Sequence, residues 1–157
     1  MIAIFPGSFD PITLGHVEIV ERAASLFSEV IVAVGEHPTK QGCFPVKRRC
    51  ALIEASLSHI DKASASSYQG LLVDYCRTRG AGVIVRGIRG SSDLDAESQM
   101  GLANRDLAPE IETIFLLPSA HVHYISSSLI RDIASHGGDI RRYVSSPVAA
   151  ALAGLRG

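Results

Sequence analysis

Ile2-Ala3-Ile4-Phe5-Pro6-Gly7-Ser8-Phe9-Asp10-Pro11-Ile12-Thr13-Leu14-Gly15-His16 starts as a short apolar strand at Ile2–Phe5, breaks at Pro6-Gly7, and runs into a helix from about Gly15. The connection has no Walker A pattern and lacks the G-x-G-x-x-G of dinucleotide folds. Its distinctive feature is Thr13-Leu14-Gly15-His16, which puts a histidine in the first turn of a helix. Free N–H groups and the positive end of the helix dipole gather there, so an anion is favoured and an imidazole donor can point at it. Thr13 acting as a simple cap beside an incidental His16 is the plainer alternative; Gly7, Ser8 and Asp10-Pro11 in the same strand-to-helix connection favour a binding role.

The same alternation continues along the chain. Short β-branched runs stand at Val30–Val34, Ala63–Ser66, Gly82–Val85 and Thr113–Leu117. Val30–Val34 and Val83–Val85 are apolar at every position, as in strands covered by helices on both faces. Between them, Val17, Val20, Ala24 and Phe27 recur at helical spacing and mark a helix over about Gly15–Phe27. Further helices are expected at Lys47–Leu57, Leu71–Arg79, Asp93–Arg105, Ser128–Ser135 and Pro147–Leu155. Gly80, Gly82, Gly137 and Gly138 are expected at helix ends that need a left-handed backbone. The pattern predicts an α/β fold, a doubly wound parallel five-stranded sheet with helices on both faces, in a single domain over residues 1–157. Such folds bind ligands at the carboxyl ends of their strands.

Composition agrees. A chain of 157 residues with 46% hydrophobic side chains can bury a core without disulfides or metal. Fifteen basic against sixteen acidic residues leave a formal net charge of -1, which argues against nucleic-acid or membrane-surface binding. Only Lys40, Lys47 and Lys62 are lysines; the other basic residues are arginines, suited to bidentate contacts with phosphate. Cys43, Cys50 and Cys76 show no C-x-x-C spacing and suggest neither disulfide framework nor zinc, which fits a reducing, cytoplasmic setting. No signal peptide or membrane-spanning run is evident, and the thiols read as buried or semi-buried.

Two more clusters sit at strand ends. Arg86-Gly87-Ile88-Arg89-Gly90 follows the run at Gly82–Val85, and its arginines could hold phosphates of different groups or simply occupy a surface turn. Ile125-Ser126-Ser127-Ser128-Leu129-Ile130-Arg131 offers hydroxyls at a helix start, which can simply cap N–H groups or bind an anion, with Arg131 within one turn to add charge. No Glu or Gln follows three residues after any of these serines, so no capping box is completed and the N–H groups are left open to an external phosphate. Lys40 lies in the loop after Val30–Val34, and Asp93 and Glu97 stand at i,i+4 beyond the two arginines, able to pair with them or to contact ligand. His37, His59 and His136 carry no motif, and His121 and His123 could approach a ligand from the segment before the serines. No Ser-His-Asp order, metal cluster or acid and base pair declares itself.

The segments Gly7–His16, Arg86–Arg89 and Ile125–Arg131 together closely resemble the bacterial phosphopantetheine adenylyltransferase family, within the T/HxGH nucleotidyltransferase superfamily. The resemblance runs the whole chain in order. It implies a Rossmann-like fold and the penultimate step of coenzyme A synthesis, in which ATP and 4'-phosphopantetheine give dephospho-coenzyme A and pyrophosphate. It further implies Mg2+, a homohexamer and inhibition by coenzyme A. By resemblance, His16 would stabilise the transition state at the α-phosphate of ATP. Ser8, Lys40, Leu72 and Arg86 would bind the phosphopantetheine, Lys40 and Arg86 through its phosphate. Ser8, Phe9, His16, Gly87, Ile88, Arg89 and Glu97 would line the ATP site with Val122, His123, Tyr124, Ile125, Ser126, Ser127 and Ser128. Ser8 replaces the family's common threonine with its hydroxyl retained, whereas Leu94 and Ala96 replace two aromatics, which bears on the packing and subunit contacts of that helix.

Another small nucleotidyltransferase, such as a cytidylyltransferase or a nicotinamide mononucleotide adenylyltransferase, shares the first motif, but Lys40, the arginine pair and the serine run are not expected of it. A nucleotide sensor without turnover has no need of the His16 donor.

Overall fold

The computed structural model describes residues 1–39 and 42–155. Strands and helices alternate: β1 (Ile2–Gly7), α1 (Leu14–Leu26), β2 (Glu29–Gly35), α2 (Val46–Ser56), β3 (Ala63–Tyr68), α3 (Leu72–Thr78), β4 (Ala81–Gly87), α4 (Ser91–Leu107), β5 (Glu112–Leu116), α5 (Ser127–Ser135) and α6 (Ser146–Gly154). The five strands form one parallel sheet in the order β3-β2-β1-β4-β5. The order reverses between β1 and β4. A ligand crevice opens outside the strand ends at such a switch point, here beyond Gly7 and Gly87.

The uniformly apolar strands are the central ones. Val30, Ile31, Val32, Ala33 and Val34 are all at most 1% exposed, because side chains from both faces of β2 are covered. On one face Ala3, Phe5, Val32 and Val85 pack with Val17 and Val20 of α1, Leu52 and Ile53 of α2, and Val148 and Leu152 of α6. On the other, Ile4, Ile31 and Ile84 meet Val73 and Cys76 of α3 together with Ala108 and Ile111. Each such fully buried aliphatic side chain contributes about 1.5–3 kcal/mol.

Gly80 and Gly137 do take left-handed backbones, with φ of 63° and 81°. The expectation fails for Gly82, which lies inside β4, and for Gly138, which has no positive φ; a Cβ on Gly138 would instead press on Ile133. The edge of the sheet differs from its centre. Along α4 the only buried residue is Asn104, and Leu94, Met100, Leu102 and Leu107 are exposed, as are Phe115 on the edge strand β5 and Leu117 just after it.

Candidate active site

His16 does two jobs at the start of α1. Thr13 caps the helix, its Oγ1 accepting from the His16 N–H, while the Thr13 N–H donates to His16 Nδ1 over 3.0 Å. Cap and motif are therefore one device. A backbone N–H can only donate, so Nδ1 must be the unprotonated nitrogen, and Nε2 carries the proton as a donor. Burial, then the nearby Arg89 and Arg86 guanidiniums, lower the His16 pKa from 6.5 to about 4. At neutral pH the imidazole is an uncharged donor of fixed tautomer. Its ring lies edge-on to that of Phe9, with centroids 5.0 Å apart.

Phe9 has φ 45°, a left-handed conformation that costs a non-glycine residue about 1–3 kcal/mol. Gly7 makes room for it, since a Cβ there would stand 2.9 Å from the Phe9 ring. Three carbonyls around the strained residue are held by side chains. Arg49 Nη1 donates to Ser8 O (3.2 Å), Arg131 Nη1 to Asp10 O (2.7 Å) and Ser127 Oγ to Pro11 O (2.8 Å).

Two clefts meet beyond β1 and β4, with cavity volumes of about 170 and 230 Å³. The first is lined by Phe9, Gly15, His16, Gly87, Arg89, Val122 and Ile125 among others. The second is lined by His37, Tyr68, Leu72, Met100, Asn104 and Thr113 among others. Pro6, Gly7, Ser8, Arg86 and Glu97 belong to both and form the partition. Arg86 is fixed there by Glu97, with Nε and Nη2 each 2.5 Å from a carboxylate oxygen, and by Pro6 O (2.7 Å). Arg89 pairs with Asp93 (3.3 Å).

Most of the expected residues converge on these clefts, some in a different way from that foreseen. Ser8 and Glu97 reach both clefts, and Leu72 and Arg86 reach the second. Ile88 is 5% exposed and lines neither, its N–H bonding to Leu116 O. His123 and Tyr124 stand at a shallow depression beside Arg89 and Asp93. The serine run is not an open set of donors. Ser126 caps α5 by accepting from the Leu129 N–H without a reciprocal capping box, Ser127 holds Pro11 O, and Ser128 Oγ accepts from Arg131, so at Ser126 the simple-capping alternative is the one realised. Lys40 lies outside the described residues.

Other cleft residues were not foreseen. Asn104, 7% exposed, and Thr113, whose Oγ1 is buried with no partner among the described residues, face the second cleft. Glu97, Met100, Gly101 and Asn104 fall at i, i+3, i+4 and i+7, so one face of α4 walls this cleft, a periodicity present in the sequence but hidden because the face is polar. Arg49 is 7% exposed and ion-paired to Asp10 at 3.4 Å, although in the run Lys47-Arg48-Arg49 nothing separates it from solvated neighbours.

Residues 4–133 match the cytidylyltransferase-like family, and with its five-stranded parallel sheet the chain belongs to that class of nucleotidyltransferases. The chain is 45% identical over 152 residues to a phosphopantetheine adenylyltransferase from Thermotoga neapolitana, covering 97% of this chain and 94% of that one. To one from Heliobacterium modesticaldum it is 47% identical over 152 residues, covering 97% and 90%. The chain belongs to the phosphopantetheine adenylyltransferase family. Among solved structures it shares its fold with Plasmodium falciparum nicotinic acid mononucleotide adenylyltransferase complexed with NaAD, at a TM-score of 0.73 and 16% identity over 99% of this chain and 95% of that one.

Proposed function

We propose that this chain transfers the adenylyl group of ATP to 4'-phosphopantetheine, giving dephospho-coenzyme A and pyrophosphate. Family membership supports the reaction, and the observation that carries the mechanism is the neutral, tautomer-fixed His16 beside the partition between two clefts. ATP occupies the first cleft, with Ser8, Phe9, Gly87, Ile88, Arg89, Glu97 and the segment 122–128 around it. The acceptor occupies the second, against Leu72 and Ser8. Its phosphate is held by Arg86 and Lys40. An oxygen of that phosphate attacks the α-phosphorus, the bond to the β-phosphate bridging oxygen breaks, and pyrophosphate leaves. The nucleophile is already an anion, so no protein base is needed; the work is positioning and charge stabilisation. His16 Nε2–H donates to the α-phosphate oxygen as charge grows there.

Mg2+ belongs to this reading as the companion of the triphosphate. Among the described residues no group of three His, Cys, Asp or Glu could cage a metal, and the cleft carboxylates Glu97 and Asp93 are paired with arginines. Such an ion is held chiefly by phosphates and water, and no protein step is routed through it. A homohexamer fits the exposed apolar side chains of α4 and β5, and feedback by coenzyme A follows from its pantetheine arm fitting the acceptor cleft. A cytoplasmic setting fits three free cysteines, and no described helix is long and apolar enough to cross a membrane.

The test is pyrophosphate release from ATP and magnesium with 4'-phosphopantetheine, nicotinate mononucleotide or no acceptor. Release with 4'-phosphopantetheine alone is expected. Release with the mononucleotide instead, or ATP binding without any release, refutes the assignment.

A further inference from the structure

The turn between β1 and α1 holds its shape against a conformational preference, and its restraints come from residues that no role in the reaction yet uses. Phe9 is the only non-glycine residue with positive φ among those described. The carbonyls immediately before and after it are gripped by guanidiniums from two different helices: Ser8 O by Arg49 of α2 and Asp10 O by Arg131 of α5. Arg49 is itself immobilised. Its Nε donates to Phe44 O at 2.7 Å and lies 3.4 Å from Asp10 Oδ1, and the Asp10 carboxylate accepts from the Cys43 N–H (2.6 Å) and the Phe44 N–H (2.9 Å). Arg131 is steadied by Ser128 Oγ at 3.2 Å. Planar, charged donors on flexible stems suit this task because a carbonyl held by a guanidinium cannot swing without losing a charge-assisted bond.

The side chain that the turn presents is what matters. The Phe9 ring, 3% exposed, sits between Phe5 (centroids 5.2 Å) and His16 (5.0 Å), edge-on to both at 75° and 76°. Rotating Phe9 back to a negative φ would swing this ring from the imidazole and admit water to it.

We propose that Arg49 and Arg131 are positioning residues for His16: by clamping the carbonyls that flank Phe9, they hold the Phe9 ring against the imidazole, aiming it and covering it on that side. The inference rests on the reading of His16 as the donor to the α-phosphate. It assigns Arg131 to the protein's own backbone instead of to substrate phosphate. The charged groups lining the cleft with His16 are Arg86 and Arg89 and their partners Glu97 and Asp93, whose hydrogen bonds among the described residues do not involve Arg49 or Arg131.

The test compares Arg131→Met, Arg131→Lys and Arg49→Lys, alone and with His16→Asn, by pyrophosphate release and by NMR titration of the His16 ring. A misplacement of about 1 Å can cost about 100-fold, so Arg131→Met should lower kcat by roughly 10- to 100-fold while the KM for ATP changes less than about threefold. The same substitution on the His16→Asn background should cost less than about threefold, the non-additivity of residues that act as a unit. The His16 midpoint should rise from about 4 to above about 5 as water reaches the ring. Arg131→Lys, which retains one donor, should recover part of the rate, and Arg49→Lys should show the same pattern if Arg131→Met does not fold. An unchanged His16 midpoint, or equal losses in both backgrounds, overturns the proposal. A wild-type protein that releases no pyrophosphate defeats the adenylyl-transfer reading instead, and the titration, which needs no turnover, then decides the clamp by itself.

Discussion

Lowering the pH from 7.5 to 4.5 isolates the cost of keeping His16 neutral. Its pKa in the folded protein, about 4, lies below the 6.5 of the unfolded chain, so between these values the unfolded state binds the extra proton and the folded state does not. Stability therefore falls as pH drops below 6.5 and levels off below about 4. The full difference corresponds to about 3 kcal/mol, of which about 2.5 kcal/mol is lost over the range tested. Carboxylates pull the same way: Glu36, Glu110, Glu112 and Asp139 are held below the usual range by hydrogen bonds from Gln69, Arg77, Arg105 and Arg141, and they lose their advantage when protonated. The assay is thus a difference. Urea unfolding at both pH values is measured for the wild type and for His16→Asn, whose amide oxygen can still accept the Thr13 N–H but does not titrate. The wild type should lose about 2–3 kcal/mol more than the variant over this interval. Equal losses in the two proteins, or an imidazole that titrates near 6.5 by NMR, would refute the neutral donor.

Asn104→Leu removes the amide facing the acceptor cleft and should raise the KM for 4'-phosphopantetheine about tenfold, one lost hydrogen bond, with the KM for ATP unchanged in steady-state kinetics. In Gly42→Ala the new methyl would press on Arg49 Nη2 and Asp10 Oδ2, and calorimetry should show a loss of about 1–3 kcal/mol. Cys76 is fully buried and its thiol is pushed up to about 11 by burial, so mass spectrometry should find it unalkylated by iodoacetamide at pH 8 until denaturant is added, after Cys43 and Cys50 have begun to react.

What could be foreseen depended on whether a residue's task has a period or a motif. β2 and β4 were legible because a stretch of strand covered on both faces must be apolar, as Val30–Val34 and Val83–Val85 are. His16 was legible because a helix start with Thr13 and Gly15 is a local motif. Helix α4 ran two residues beyond Asp93–Arg105 at each end, its N-cap Gly90 providing no side-chain signal. The serine run misled for a physical reason: a capping box needs a glutamate or glutamine, but a single serine can cap alone, and Ser126 does. Arg49 and Arg131 were opaque because their partners are carbonyls 41 and 121 positions away in the chain.

The charge balance of the cleft explains why His16 must be the neutral member. Arg86 and Arg89 have carboxylate partners in Glu97 and Asp93, and these pairs give the free site little surplus charge, in keeping with a chain of net charge -1. Pairing does not occupy every donor. With Nε and Nη2 of Arg86 on Glu97 and one Nη1 hydrogen on Pro6 O, one hydrogen on each terminal nitrogen remains. Glu97 thus orients Arg86 without consuming every donor a phosphate could take. A protonated imidazole beside the two guanidiniums would add a third cation with no carboxylate of its own, in a half-buried wall of the cleft. The neutral ring avoids that penalty and still offers Nε2–H, so its stabilisation is drawn on when negative charge builds on the α-phosphate, and less when the ground-state triphosphate first arrives. Substituting His16 should for this reason lower kcat far more than it weakens ATP binding, and equal effects on the two would place its interaction in the ground state.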